Sequence, residues 1–351
     1  MKKVIFISAI ALAAAVSCTK SEVVDTKFNE QIGFETYLGR DAQTKAPVAA
    51  SVADLGLFGF YIGNGEWAPT SEANLWNNEK LASPAYAPAT PKYWTNDTDV
   101  YAFLAYAPYP TATNGITVTP GADPKVTYTV NSTIKSQIDL LYANDEQHFP
   151  LMKRPSDNKV VLKFNHALSR ITVKASENVA EYGYTIKGLS LSGTFNTKGT
   201  LKLSDNSWTV EAADKKDETY AFLTEGSVAV PTPKEAEGEN AAVTPYDFAG
   251  TDNYLMIIPA DFSGEGAAAT LTIAYTTTFE GKESTLMTKT LPISTKFEQG
   301  KAYSLNLVFE QNKTNPISFS VEVVGWGDEE NVVAGNPENG TTPAPAPAPA
   351  E

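Results

Sequence analysis

From residue 52 onward the chain has no stretch in which apolar residues recur at helical spacing for three turns. Instead, short apolar or alternating runs are cut by clusters of Gly, Pro, Asn and Asp. A chain patterned this way cannot present a continuous helical stripe to a core, and it predicts an all-β protein. Leu55 to Ile62 (LGLFGFYI) and Tyr101 to Tyr106 (YAFLAY) are apolar on both faces, as a strand buried between a sheet partner and loops would be. Between them runs a Pro- and Asn-rich excursion carrying Trp67, Trp76, Tyr86 and Trp94, which reads as an extended loop with a hairpin. Lys125 to Val130 forms a further strand. Residues 143–158 lose the alternation, and Pro150 and Pro155 rule out a central strand there. A domain boundary is expected at that point, between an N-terminal unit over 46–150 and a C-terminal unit over 159–330.

Later strands are expected at Lys159 to Phe164, Leu168 to Ala175, Tyr184 to Leu191, Leu201 to Leu203, Trp208 to Val210, Tyr254 to Ile258, Thr270 to Tyr275, Leu286 to Leu291 and Tyr303 to Phe309, with the polar residues 212–250 looping out. Two β-sandwiches in tandem fit this count, and so does one large sandwich. The cleanest alternation in the chain comes last, over residues 317–324. Ile317, Phe319, Val321 and Val323 face one way, Ser318, Ser320 and Glu322 the other, and Trp326 follows. Residues 331–351 end in PAPAPAPAE, which cannot bury a core and is expected to be a solvated, polyproline-like tail.

The first 45 residues carry a different message. Lys2 and Lys3 precede a run of mostly apolar residues from Val4 to Val16. That run is shorter than the roughly 20 residues a membrane-spanning helix needs, so residues 1–17 read as a signal peptide. Cys18, the one cysteine, stands where a lipoprotein peptidase would leave a new N-terminus, and it is the expected acyl acceptor. Residues 18–45 then form a lipidated segment containing a short alternating strand, with Ile32, Phe34, Thr36 and Leu38 on one side. Arg40 and Lys45 follow within a polar run suited to proteolysis.

Composition removes most other functions. The formal charge of −14 argues against a nucleic-acid partner. His148 and His166 are the two histidines, neither beside a nucleophile turn, and zinc ligation from Cys and His lacks donors. No phosphate-binding loop leads from strand to helix, and no pair among the 41 acids is marked for glycoside hydrolysis. No catalytic residue, metal or cofactor is expected. The tryptophans of the excursion suggest a platform for stacking glycans, set against the commoner role of aromatics in filling cores.

Taken in order, IGFETYLGRDAQTKA at 32–46, LGLFGFY at 55–61, YW at 93–94, DLLYAN at 139–144, LKFNHALSRITV at 162–173, YLMIIPADF at 254–262, FEQGKAYSLNL at 297–307 and VEVVGWGDE at 321–329 resemble the fimbrillin-like family. These are pilins and pilus-associated lipoproteins of Bacteroides and Porphyromonas relatives. The resemblance implies two tandem transthyretin-like Greek-key β-sandwiches and export as a lipoprotein to the outer membrane. It further implies a trypsin-like protease that removes the N-terminal strand and a partner subunit whose C-terminal strand fills the vacated groove. Arg40 matches the family's cleavage arginine, with Lys45 the alternative. The expectation is a stalk or accessory subunit of an extracellular pilus that supports adhesion. The competing expectation is an unpolymerised surface lipoprotein that binds glycans or a host ligand.

Overall fold

The computed structural model describes residues 30–38, 52–66, 72–144, 151–178, 182–232, 243–250, 253–264, 269–310 and 317–326. Cys18, Arg40, Lys45, Trp67, His148 and the tail after Trp326 lie outside them. The described chain is all-β, with 3₁₀ turns at Ile134–Ser136 and Ala212–Asp214.

The first half supplies β1 (Gly33–Leu38), β2 (Leu55–Gly63), β3 (Trp76–Leu81), β4 (Val100–Ala107), β5 (Ile116–Thr119), β6 (Lys125–Thr129), β7 (Leu141–Ala143), β8 (Leu151–Met152) and β9 (Lys159–His166). Seven of them make one sheet in the order β1-β9-β7-β4-β2-β3, with β8 beside β4. Its central strands are buried on both faces because their sequences are apolar at consecutive positions. Phe58, Phe60, Leu104 and Tyr106 join one core, while Leu55, Leu57, Tyr101 and Phe103 join another. Among the described residues no second sheet covers the other core. Irregular chain after β3 packs on it through Tyr86 and Trp94, beside Trp76 of β3 itself.

The second half supplies β10 (Ser169–Glu177), β11 (Gly183–Asn196), β12 (Lys198–Lys202), β13 (Lys215–Leu223), β14 (Ala269–Phe279), β15 (Met287–Ile293), β16 (Lys301–Phe309) and β17 (Ile317–Gly325). One sheet runs β10-β16-β17 and a second β13-β11-β14-β15. Inward alternation on both gives a shared core of Ile171, Val173, Leu305, Leu307 and Phe309 with Ile186, Leu191, Leu271 and Ile273. Tyr184 and Tyr275 of the second sheet meet the Phe309 ring at centroid distances of 4.8 and 5.7 Å.

Two expectations change. The boundary expected between 150 and 159 does not mark a change of sheet. Strand β9, expected to open the second unit, completes the first sheet by pairing with β7 and β1, and the chain crosses to the next sheet only at Ala167 and Leu168. In addition, β12 pairs with β6, so the halves share a ladder. Alternation in β9 places Val160, Leu162 and Phe164 inward, but nothing local to those residues says which core they enter. The loop expected over 212–250 contains β13, antiparallel to β11. Its polar run KKDE lies at the exposed edge of the sheet, and only Tyr220 and Phe222 turn inward.

Candidate functional site

Strand β1 is the edge of the first sheet, and it lies parallel to β9 with Gly33 opposite Lys159 and Leu38 opposite Phe164. Ahead of it the chain is tied to the excursion. The Ile32 amide donates to the Lys92 carbonyl at 2.9 Å, and the Trp94 amide to the Glu30 carbonyl at 3.1 Å. Ile32 and Phe34 are buried, and Leu38 is half-buried against the same core. The Phe34 ring fits edge-on between Trp76, 5.5 Å away, and Phe103, 5.6 Å away. Burying those two side chains contributes about 3 to 6 kcal/mol before the cost of ordering the strand.

Solvent-side ion pairs accompany the plug. Arg154 reaches Glu30 at 3.0 Å and Asp97 at 2.9 Å, and Lys159 pairs with Glu35, whose hydrogen bond raises the Lys159 pKa. These pairs are exposed on the carboxylate side and add little to stability. Withdrawing β1 would therefore uncover a groove with a defined shape: the free backbone edge of β9 along one side and the Trp76, Trp94 and Phe103 rings in its floor.

Strand β17 is also an edge strand. It pairs with β16 alone, antiparallel, from Phe309 opposite Ile317 to Lys301 opposite Gly325. The Ile317, Phe319, Val321 and Val323 face is turned towards the core, but its burial fades along the strand. Ile317 is fully buried, Phe319 and Val321 are partly covered, and Val323 is 49% exposed. The strand end is fastened by Trp326. Its ring stacks on His166 at 4.0 Å, the Arg170 guanidinium lies 5.1 Å from its centre, and its amide donates to the Gly300 carbonyl at 3.0 Å. His166 is held in turn by Asp139 at 2.8 Å. The histidine is thus a packing surface with its own partner.

The described tryptophans of the excursion face the core and offer no exposed stacking surface. Trp76, Tyr86 and Trp94 are buried, and their polar atoms are used internally: the Trp76 indole donates to Thr90, the Trp94 indole to Asn158 and the Tyr86 hydroxyl to Val52. Sheet packing drew them in, because the second face of the first sheet has no other cover. A cleft of about 720 Å³ lies beside β13 and Tyr246. Its inward polar groups are already paired, Asp247 with Thr172 and Asn253 with the Phe222 and Phe248 carbonyls. Among the described residues no cluster of three or more His, Cys, Asp or Glu could hold a metal ion, and no helix is long and apolar enough to cross a membrane.

The fold is an all-β architecture in which β1 and β17 each stand at the edge of a sheet. The model of the fimbrillin-like family matches residues 52–326, and the chain belongs to that family. It is a pilus- or adhesion-related cell-surface subunit and not an enzyme. Its fold is similar to that of a fimbrial protein from Bacteroides vulgatus, with a TM-score of 0.64 and 19% identity over 85% of this chain and 100% of the other. A protein from Bacteroides uniformis assigned to cell adhesion aligns over 84% of this chain and 99% of its own, with 17% identity and a TM-score of 0.48. No curated protein sequence matches the chain.

Sequence reasoning found both strands but not their surroundings. Trp76 and Phe103, which clasp Phe34, and β9, which receives β1, carry no local mark of that role. A parallel pairing between residues more than a hundred positions apart leaves no turn signal behind.

Proposed function

We propose that this chain is a polymerising subunit, stalk or accessory, of a surface pilus, exported as a lipoprotein and activated by loss of its N-terminal strand. Cys18 carries the acyl anchor that holds the precursor on the outer membrane. A trypsin-like protease cuts after Arg40, or after Lys45, and releases β1. The C-terminal strand β17 of another subunit then enters the vacated groove by strand addition, and the resulting fibre supports adhesion.

The observation that carries this reading is the placement of Ile32 and Phe34. They plug a core from an edge strand that ends only two residues before Arg40. The free energies run in the right direction. In the monomer β17 buries one side chain fully, whereas a groove that took all four of its apolar residues would gain about 6 to 12 kcal/mol from them before ordering costs.

Limited trypsin treatment of the folded precursor is expected to give a single early product beginning at Asp41 or Ala46, followed by an SDS-resistant ladder on gels. Replacing both Arg40 and Lys45 with Ala should abolish product and ladder together. A ladder formed by the uncleavable variant would refute activation by cleavage. Cys18→Ala is expected to eliminate palmitate labelling and to leave the precursor unanchored. Undiminished labelling of that variant would show that the acyl chain is attached elsewhere.

A further inference from the structure

Tyr246 stands on the core side of its sheet, and the core does not cover it. It pairs antiparallel with Ala175 of β10, and residues directly opposite share a face, so its ring lies on the side where Ala175 and Val173 are buried. Phe248, two residues on, is buried, yet Tyr246 is 42% exposed. The reason is the opposing sheet, whose edge strand is β13. Past that edge the layers part and leave the cleft of about 720 Å³, lined by Tyr246 and Phe248 from one sheet and by Phe222 and Val228 from the other. Phe248 meets the Tyr246 ring edge-on, at 5.0 Å and 72°, and so sets the direction of its free face.

The rest of the lining is polar. Asp247 and Asn253 are paired within the fold and hold the shape of the cleft. Ser132, Thr133, Lys135, Thr224 and Glu225 are exposed around it, and their side chains have no hydrogen-bond or ion-pair partner among the described residues. The site therefore offers one flat aromatic face and a rim of groups that donate and accept hydrogen bonds. A pyranose ring carries the matching pair of surfaces. Its C–H face is slightly positive and suits the negative face of an aromatic ring, and its equator carries hydroxyls that donate and accept. Lys135 and Glu225 make such bonds stronger and cancel each other in charge. The net charge of −14 repels anionic polymers. The volume lies within the roughly 300 to 1,000 Å³ of ordinary small-molecule sites.

We propose that this cleft binds a neutral oligosaccharide, with one pyranose ring stacked on Tyr246 and the neighbouring sugar hydroxyls bonded to the rim. The proposal gives a ligand class to the adhesion described above. It rests on that reading only for its place on the cell surface, because the cleft is complete in the uncleaved chain.

The test is titration calorimetry of the uncleaved chain with cellohexaose, maltohexaose and mannohexaose, and with a heparin hexasaccharide as the anionic control. At least one neutral hexaose is expected to bind, and heparin is not. Tyr246→Ala should weaken binding about tenfold or more, while Tyr246→Phe, which keeps the ring, should stay within about threefold of the parent. A double variant, Thr224→Ala with Glu225→Ala, alters only the exposed rim and should also weaken binding, so the site is still read if loss of the Tyr246 ring impairs folding. Lack of binding by every neutral hexaose at up to about 10 mM would overturn the proposal. So would equal affinity of a folded Tyr246→Ala variant, or tighter binding of the heparin hexasaccharide. If no hexaose binds and Tyr246→Ala instead lowers self-association in sedimentation, the cleft takes a second copy of the chain and the sugar site is refuted. An SDS-resistant ladder without sugar binding would leave strand exchange standing, and sugar binding without a ladder would leave this site standing.

Discussion

Replacing Trp94 with Ala is expected to destabilise the protein by about 3 to 5 kcal/mol, the range for removing a large aromatic from a packed core. Trp94 is fully buried, and its ring packs edge-on against Tyr101 at 4.7 Å and Phe103 at 6.3 Å. Its indole N–H donates to the Asn158 carbonyl, which would be left without that partner. The excursion is the only described cover over this face of the first sheet, so little can move in to fill the space. Urea unfolding followed by tryptophan fluorescence and circular dichroism would measure the loss. A change below about 1 kcal/mol would mean that the excursion is not a structural lid. The same residue ties down the chain ahead of β1 through its backbone N–H to Glu30. Alanine keeps that N–H, but loss of the ring's packing against Tyr101 and Phe103 should loosen the segment that carries it, so Trp94→Ala is also expected to hasten tryptic cleavage between Leu38 and Ala46.

A second large effect is expected from pH acting on Glu177. This residue ends β10 with its side chain on the inward face, 2% exposed, opposite Phe309, and neither carboxylate oxygen has a hydrogen-bond partner among the described residues. Burial pushes its pKa from the ordinary 4.5 up to about 7. The folded state therefore binds the proton more tightly than the unfolded chain. The stability associated with it is fully present below pH 4.5 and is lost as pH rises through about 7, for a total of about 3 kcal/mol. Tyr184, whose own pKa is raised first by burial and then by the Glu177 charge, sits near the same carboxyl and stays neutral throughout this range.

Carboxylates of the opposite kind, such as Asp99 and Asp261, are held below their ordinary values by hydrogen bonds from hydroxyl and amide groups, and they lose stability only on acidification below about 4. Comparison with Glu177→Gln separates the two effects. The variant should match or trail the parent at pH 5 and exceed it by about 3 kcal/mol at pH 8. Parallel stability curves for the two proteins from pH 5 to 8 would show that Glu177 does not titrate in this window.

The two edge strands differ in how firmly the monomer holds them. Strand β1 and the residue before it seat two side chains, Phe34 and Ile32, and the chain has a backbone tie at that start. Strand β17 is seated at Ile317 and clasped at Trp326, with a poorly covered stretch between them. Its antiparallel ladder with β16 runs the length of the strand, so β17 is held by backbone pairing more than by side-chain burial.

The sequence by itself determined the all-β class and most strand positions, because alternation and turn residues are properties of neighbouring residues. Leu55 to Ile62 and Tyr101 to Tyr106 announced their burial on both faces by being apolar at successive positions, and Ile317, Phe319, Val321 and Val323 announced a strand with one apolar face. Tertiary structure alone decided the partners. That β9 belongs with β1 rather than with the strands after it, that β12 completes a ladder begun by β6, and that Trp76 and Trp94 face inward all depend on residues far apart in the chain. The alternation of a strand fixes which side chains share a face. Which core that face joins is settled by the surface left uncovered elsewhere, and only the folded chain supplies it.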